Sequence, residues 1–285
     1  MPELPEVETI RRQLEKEIVG GAIAGVWFNQ PKMLRPGAEG FMKGVEGKKV
    51  AGVKRRGKLL IFELGERGCF VCHLRLSGRL LVRRPEDPPD DFVHVVLKLK
   101  TQNLKLGKPE SDDLELRFAE ARLFGYMQYL SDEVALEKIL KKYGPEPLKD
   151  LDEDKFYSIL RKSKKPIKLL LLDQEKIAGV GNIYANDALF LSQIHPQTPA
   201  SKLSKNQADQ LLQAIENVFK EGLKYGGASD QWYRQVHGEE GKYQEHFKVY
   251  GRDGQPCDVC GAKIKRIEVG GRGTFYCPKC QVKSK

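Results

Sequence analysis

The chain has 285 residues, a formal net charge of +10 and a pI near 9.2. This length is enough for two domains with hydrophobic cores, and the basic balance favours a polyanionic partner, with nucleic acid as the leading candidate. A membrane surface is the competing partner, but the sequence shows no apolar span, lipidation signal or signal peptide.

The first six residues read MPELPE, so a proline directly follows the initiator methionine, with carboxylates close behind. If Met1 is removed, Pro2 presents a free secondary amine, and an N-terminal amine has a pKa of about 8. A useful fraction is then an unprotonated nucleophile near neutral pH, able to attack a sugar aldehyde carbon while Glu3 and Glu6 move protons. The alternative interpretation is that the prolines simply start a helix.

Residues 4–18 are predicted to form an amphipathic helix, because apolar side chains recur at steps of three and four residues. From Ile23 to about Tyr129 the pattern changes to short β-rich runs punctuated by glycine, which predict a sandwich or a barrel. The runs cover 23–28, 50–54, 59–64, 69–74, 79–83, 94–99 and 114–118. Cys69 and Cys72 lie in one apolar run and are predicted core residues.

The segment 131–150 carries a helix-breaking proline pair, Pro145 and Pro147, and is predicted to be an inter-domain linker. The following segment is predicted to be helical over 152–161, 167–172, 183–191 and 204–225, with Ser204 as an N-cap. The glycine turn 179–181 and Asn182 precede one helix, where backbone amides can meet a phosphate, although such a turn is more often only a connection. The loop 226–241 is long for a compact domain, and loops of this length are more often functional or mobile than inert.

Near the C-terminus, two pairs of cysteines are separated by 16 residues: Cys257 and Cys260, then Cys277 and Cys280. This spacing predicts a zinc ribbon or finger, with a hairpin that turns at 270–271 and carries Arg272 at its tip. The alternative, a pair of disulfides, would require an oxidising compartment. Basic clusters at 54–58, at 161–168 and in this tail indicate nucleic-acid binding, with solvated charged faces as the competing interpretation.

On its motifs, the chain resembles bacterial formamidopyrimidine-DNA glycosylases, which remove oxidised purines and nick the resulting site. The resemblance covers nearly the whole length. Besides the four cysteines and the N-terminus, it rests on RGK at 56–58, HLRLSG at 73–78, RLFG at 122–125, GPEPL at 144–148, GVGNIYAN at 179–186, IHP at 194–196, VYGR at 249–252 and GRGTF at 271–275.

The resemblance implies an α+β multidomain fold, with double-stranded damaged DNA bound between the two halves. The expected domains are a catalytic β-sandwich with a flanking helix at 1–130, a linker at 131–150, a helix-two-turn-helix domain with a lesion-capping loop at 151–245, and a zinc finger at 246–285 that holds one zinc ion.

The resemblance also implies roles for individual residues. Pro2 attacks C1′ of the damaged nucleotide and forms a Schiff base, Glu3 donates the proton that opens the sugar ring, and Glu6 supports the site. Lys58 corresponds to the proposed proton donor for β-elimination. Arg272 occupies the position assigned to δ-elimination, but a guanidinium is a poor acid, so a phosphate clamp is the more physical role.

Further positions are expected to contact DNA. A flipped nucleotide leaves a gap in the duplex that side chains must fill. By resemblance, Leu76 and Phe124 supply apolar surface there, and Arg122 donates to the orphaned base and favours cytosine. The expected contacts to the rest of the DNA come from His94, Lys164, Lys168 and Asn182.

The chain departs from the family pattern at four places. Leu76 replaces a methionine, Leu123 replaces an arginine and Asp187 replaces a glutamate, which puts a proton-relay role at that position in doubt. The loop 228–234 reads ASDQWYR instead of the threonine-rich family version. Because this loop reads the flipped base, the choice of lesion is the property most affected.

Three alternatives remain open from the sequence. They are an endonuclease VIII-like glycosylase for oxidised pyrimidines, a non-catalytic damaged-DNA-binding protein, and a basic zinc protein that binds RNA. The sequence analysis further expects a monomer in the bacterial cytoplasm, associated with the nucleoid through DNA, and no membrane partner.

Overall fold

The computed structural model describes residues 1–65, 68–100 and 113–282. The chain forms two compact units, one built from Met1–Lys141 and Tyr225–Lys242, the other from Lys142–Lys224 and Tyr243–Lys285. No helix within the described ranges is long and apolar enough to cross a membrane.

The structure contains the following helices and strands, each numbered in chain order. The helices are α1 Leu4–Glu17, α2 Ala38–Val45, α3 Glu133–Leu140, α4 Glu153–Arg161, α5 Ile167–Leu172, α6 Asn182–Leu191 and α7 Lys205–Lys224. The strands are β1 Ala22–Phe28, β2 Leu34–Arg35, β3 Val50–Arg56, β4 Leu59–Leu64, β5 Cys69–His73, β6 Arg79–Arg83, β7 Val93–Lys100, β8 Asp113–Ala119, β9 Tyr126–Leu130, β10 Lys265–Val269 and β11 Arg272–Tyr276.

The first unit contains two sheets that share one hydrophobic core. One sheet has the order β1-β7-β8-β6 and the other β2-β9-β5-β4-β3. Among the described strands of these sheets, β2 and β9 pair in parallel and the other neighbours pair antiparallel. Both sheets and the apolar face of α1, including Val7, Ile10 and Leu14, contribute buried side chains to this core. The predicted sandwich with a flanking helix is confirmed.

The segment Tyr225–Lys242 packs with the first unit, although the sequence analysis placed it in the helical domain. The reason is that Tyr233 and Val236 are buried in the sandwich core. In addition, the Val82 N–H donates to the carbonyl oxygen of Val236 at 2.8 Å. The other predicted domain boundaries stay a prediction.

The second unit combines α4 to α7 with the β10–β11 hairpin. Helix α7 begins after Ser204, whose Oγ accepts from the Gln207 N–H at 3.2 Å, while Gln207 Oε1 accepts from the Ser204 N–H at 3.0 Å. This reciprocal pair confirms the predicted N-cap. Phe190 on α6 packs in a small core with Val249 and the cysteine-bearing segment.

Candidate functional site

The start of α1 buries two carboxylates next to Pro2. Pro2 is buried, and Glu3 and Glu6 are each 1% exposed. Pro5 lies in the first helical turn, where a missing backbone N–H costs the helix nothing. The Glu3 N–H donates to Glu6 Oε2 at 2.8 Å as part of a capping box. The local helix signals therefore fix both acids beside the predicted nucleophile.

Glu6 also anchors the loop that follows Tyr225. Its Oε1 accepts from the Ala228 N–H at 2.8 Å. Gly227 has φ +88°, and a Cβ there would lie 2.8 Å from the Tyr233 ring and 2.9 Å from Glu6 Cγ. Burial, and then the charge of Glu6, raise the pKa of the Tyr233 hydroxyl, which donates to the Gly226 carbonyl oxygen at 3.0 Å. The loop is thus joined directly to the start of α1.

Lys58 lies in the two-residue turn between β3 and β4, after Gly57 at φ +55°. It is only 6% exposed. Arg55 Nη1 donates to the Gly57 carbonyl oxygen at 2.9 Å, and Arg55 Nε pairs with Glu8 of α1 at 3.1 Å. The turn that carries Lys58 is therefore tied to the same helix that carries Glu3 and Glu6.

His73, at the end of β5, is a neutral imidazole in the fold. Burial, followed by the charges of Arg75 and Lys58, lowers its pKa to about 3. Its Nδ1 accepts from the Arg75 N–H at 3.0 Å, which helps to hold Arg75 at φ +56°. His73 therefore acts as a hydrogen-bond acceptor for the segment that leads to Leu76.

The side chains predicted to fill the duplex gap lie on two loops of the first unit. Leu76 is half-buried, Arg122 is exposed and Phe124 is 56% exposed. The Arg122 guanidinium lies 5.5 Å from the centre of the Phe124 ring, within the range of a cation–π contact. An exposed phenylalanine beside an exposed arginine suits contact with stacked bases, and the assignment to DNA stays a prediction.

His94 lies on β7 and is partly exposed. Its Nδ1 is 2.8 Å from Asn29 Oδ1. Burial lowers the pKa of the His94 imidazole below its ordinary value, so the neutral form is favoured. The predicted contact of His94 with DNA is compatible with this exposure and stays a prediction.

In the second unit, Asn182 is the first residue of α6, after Gly181 at the N-cap. Its Nδ2 donates to the carbonyl oxygen of Gly273 at 3.1 Å. Arg272 is exposed and begins β11, directly after the turn at 270–271, as predicted. The α6 N-terminus and the hairpin tip are therefore held together within this unit.

Lys168 corrects one expectation from the sequence. It is 0% exposed, so its ammonium group does not reach a phosphate at the surface. Its Nζ donates to Thr274 Oγ1 at 2.7 Å, to the Gly273 carbonyl oxygen at 2.9 Å and to Asn186 Oδ1 at 3.3 Å. Lys168 thus holds the hairpin that carries Arg272, whereas Lys164 is exposed on the preceding loop.

The four predicted ligands form a single cluster. The Sγ atoms of Cys257, Cys260, Cys277 and Cys280 all lie within 4.8 Å of one another. Four thiolates around one ion at Zn–S distances of about 2.3 Å require sulfur separations of this size. The donor set and its spacing therefore fit one tetrahedral zinc ion, which supplies structural cross-linking and no open coordination position.

Family models match three parts of the chain in succession. They are the formamidopyrimidine-DNA glycosylase N-terminal domain over residues 1–127, the formamidopyrimidine-DNA glycosylase H2TH domain over 143–233, and the zinc finger found in FPG and IleRS over 254–282. The formamidopyrimidine-DNA glycosylase of Lactococcus lactis subsp. cremoris is 40% identical over 286 residues, covering 99% of this chain and 100% of the relative. The chain belongs to the formamidopyrimidine-DNA glycosylase family. The enzyme of Chloroflexus aurantiacus is also 40% identical, over 99% of this chain.

Solved structures of formamidopyrimidine-DNA glycosylases have the same fold. The Lactococcus lactis protein in complex with abasic-site DNA has a TM-score of 0.89 at 39% identity, covering 99% of this chain and 100% of that one. A mutant of that protein, bound to DNA containing Fapy-dG, has a TM-score of 0.90. A further complex of the Lactococcus protein contains an oxidised pyrimidine. The predicted resemblance and fold class are confirmed.

The family's zinc finger spans all four clustered cysteines, which confirms the prediction of one zinc ion. Cys69 and Cys72, by contrast, are 5% and 0% exposed within β5, and so are core residues as predicted. Burial raises the pKa of the Cys69 thiol to about 11, so this side chain stays protonated.

Two features of this family member are not evident from its sequence. Asp187 is buried, and its Oδ1 accepts from the N–H groups of Val249 at 3.0 Å and Tyr250 at 3.2 Å, so it organises the chain that leads into the finger. Glu120 and Ser77 are buried and hydrogen-bonded to each other beneath the loops of Leu76 and Phe124. The one sequence feature that could have indicated this pair is the acidic Glu120, which directly follows the apolar residues Phe118 and Ala119 at the end of β8.

Proposed function

We propose that this chain is a bifunctional DNA glycosylase and abasic-site lyase of base-excision repair, acting on oxidised purines such as 8-oxoguanine and formamidopyrimidines. The observation that carries the proposal is the buried Pro2, Glu3 and Glu6 cluster at the start of α1, in a chain that matches formamidopyrimidine-DNA glycosylases from end to end. A binding protein without catalysis has no need for these groups in this arrangement.

The first step is nucleophilic. After removal of Met1, the Pro2 nitrogen attacks C1′ of the damaged nucleotide and the N-glycosidic bond breaks. The base leaves with the proton that the Pro2 nitrogen loses. Glu3 delivers a proton to the ring oxygen, so the sugar opens and an iminium forms between Pro2 and C1′. Because the iminium of a secondary amine cannot be neutralised by losing an N–H proton, it remains an electron sink. Glu6 holds Glu3 and the 226–228 loop in place.

Two eliminations follow from the iminium. Loss of a proton from C2′ expels the 3′-phosphate, and a second elimination along the conjugated chain expels the 5′-phosphate. Lys58 is the proposed proton-transfer group for the first elimination, and the turn that carries it is held to α1 through Arg55. Because a guanidinium is a poor acid, Arg272 is assigned to a flanking phosphate, together with Asn182.

Duplex DNA must present the damaged nucleotide outside the base stack. Flipping costs a few kcal/mol, roughly, and insertion of side chains into the gap offsets it. We assign this insertion to Leu76, Arg122 and Phe124. We also propose that Lys164 contacts the DNA backbone, that the enzyme acts as a monomer, and that it works in the cytoplasm on the nucleoid.

Strand cleavage tests this function directly. On a duplex with 8-oxoguanine opposite cytosine, the Met1-processed enzyme is expected to release the base and leave phosphates at both ends of a one-nucleotide gap. A matched duplex with thymine glycol distinguishes the purine branch from an endonuclease VIII-like activity. Clear preference for thymine glycol would overturn the assigned substrate, and lesion binding without cleavage would overturn the catalytic function.

A further inference from the structure

Glu120 occupies a buried position at the junction of two loops. Its side chain is 0% exposed and that of Ser77 is 1% exposed. Glu120 Oε1 accepts from the Ser77 hydroxyl and from the Arg122 N–H, the latter at 3.2 Å. Glu120 Oε2 accepts from the N–H groups of Phe124 and Gly125, the latter at 2.9 Å. One carboxylate therefore binds the segment around 77 and the segment 122–125.

Both loops adopt backbone conformations that need such support. Arg75 and Leu123 each have φ +56°, which is uncommon for residues with a side chain. Gly125 has no room for a Cβ, which would lie 2.6 Å from the Phe118 ring and 3.1 Å from Glu120 Cγ. The 122–125 turn is thus wrapped tightly around the Glu120 side chain, and its N–H groups converge on the two oxygens.

The residues displayed by these loops are those assigned to the duplex gap. Leu76 directly precedes Ser77, while Arg122 and Phe124 belong to the turn around Glu120. These two segments are more than forty residues apart in sequence. The Glu120 carboxylate that both segments share therefore sets the distance between Leu76 and Arg122, the arginine assigned to the orphaned base.

We propose that Glu120 is a positioning residue that fixes Leu76 relative to Arg122 and Phe124, and thereby determines how well the enzyme fills the gap and which opposite base it accepts. This inference rests on the proposed function, because it uses the gap-filling roles of those side chains. Glu120 itself is buried and does not touch the DNA.

Glu120→Gln tests the inference with little change in shape. A glutamine presents one oxygen and one NH₂ group, and either orientation sets that NH₂ against a backbone N–H that needs an acceptor. Ser77→Ala is the milder variant, because it removes only the hydroxyl donor. Glu39→Gln, on the exposed face of α2, is the matched control for loss of one carboxylate.

The three variants are compared with the unsubstituted enzyme on lesion duplexes with cytosine or adenine opposite 8-oxoguanine. Single-stranded DNA with a preformed abasic site serves as the second substrate, because it has no gap to fill. For Glu120→Gln we expect a loss of about tenfold in kcat/KM on the cytosine duplex, the effect of one unpaired buried donor. The ratio of cytosine to adenine rates should move toward one, with borohydride trapping on the single strand unchanged.

For Ser77→Ala we expect the same change in the ratio of cytosine to adenine rates, with a smaller loss in kcat/KM. For Glu39→Gln we expect no change in either quantity. Unaltered duplex excision and base preference in Glu120→Gln would overturn the inference. An equal loss on the duplex and on the single strand would also overturn it, because the defect would then lie in the folding of the unit. Failure of the unsubstituted enzyme to cleave or trap any substrate would instead refute the proposed function.

Discussion

At the scale of single residues, buried polar groups in the first unit each hold more than one segment of chain. Glu6 accepts from the N–H groups of Glu3 and Ala228, and Glu120 accepts from the Ser77 hydroxyl and the Arg122 N–H. Such groups satisfy buried donors that would otherwise cost about 1–3 kcal/mol each.

His73 gives a prediction for pH. An unfolded histidine has a pKa of about 6.5, whereas His73 in the fold has a pKa of about 3. Between these values the unfolded chain binds more protons, so the free energy of unfolding falls as the pH decreases below 6.5. The slope reaches at most about 1.4 kcal/mol per pH unit. Urea titrations at several pH values give the free energy of unfolding at each pH. For His73→Asn, this free energy should depend less steeply on pH than it does for the unsubstituted protein.

Asparagine retains an oxygen acceptor for the Arg75 N–H, so the variant isolates the titration of the imidazole. Gln210→Asn, at an exposed position of α7 that carries no titratable group, is the control for the substitution and should keep the original pH dependence. An unchanged pH dependence in His73→Asn would contradict the neutral imidazole of His73 in the fold.

At the scale of elements, apolar periodicity predicted most helices and strands within a residue or two. The helix over 4–18 is confirmed as Leu4–Glu17, and the last long helix as Lys205–Lys224. Two helices were not predicted. α3 lies within the segment that was predicted to be a linker because of its proline pair at 145 and 147. Its Leu136, Ile139 and Leu140 recur at helical spacing, although none of its residues is buried, and Asp132 caps it by accepting from the Ala135 N–H. α2 contains two glycines, which weaken the helix signal.

The site was predictable only where chemistry follows the chain locally. Pro2 with its two acids and the paired cysteines are short-range motifs, and they were recognised. Lys168 was assigned to DNA because it belongs to a basic run, but its burial depends on Gly273 and Thr274, about a hundred residues away. Glu120 was missed for the same reason, since its partner Ser77 lies on another strand connection.

The burial of Lys168 leads to a prediction about salt dependence. Lys168→Met should loosen the hairpin that carries Arg272 and weaken DNA binding, yet leave the slope of log affinity against log salt unchanged. Lys164→Ala, at an exposed position, should reduce that slope by about one, because a phosphate contact releases a counterion. Fluorescence anisotropy across a salt series measures both, and a reduced slope for Lys168→Met would contradict the structural assignment.

At the scale of the whole molecule, the zinc finger is expected to determine whether the second unit can bind DNA. The core around the cysteines is small, comprising Phe190, Val249 and Ile264 besides the ligands, so metal binding supplies much of its folding free energy. Cys260→Ser is expected to lose zinc and DNA binding together. Cys69→Ser, outside the finger, is the matched control and should retain both. Metal analysis measures the zinc content of each variant, and a titration with duplex DNA measures its binding. Full DNA binding by zinc-free protein would contradict the structural role of the zinc ion.

The central claim is that the Pro2 amine forms a covalent intermediate with the damaged nucleotide, and borohydride trapping tests it most directly. The substrate is a duplex with one 8-oxoguanine opposite cytosine, and removal of Met1 is verified beforehand by mass spectrometry. Pro2→Gly and a form with an N-terminal extension that keeps the Pro2 nitrogen acylated are run beside the unsubstituted enzyme. We predict a covalent protein–DNA band that requires both the lesion and the free Pro2 amine. Absence of the band with Met1 removed, or an equally strong band from the acylated form, would contradict the account.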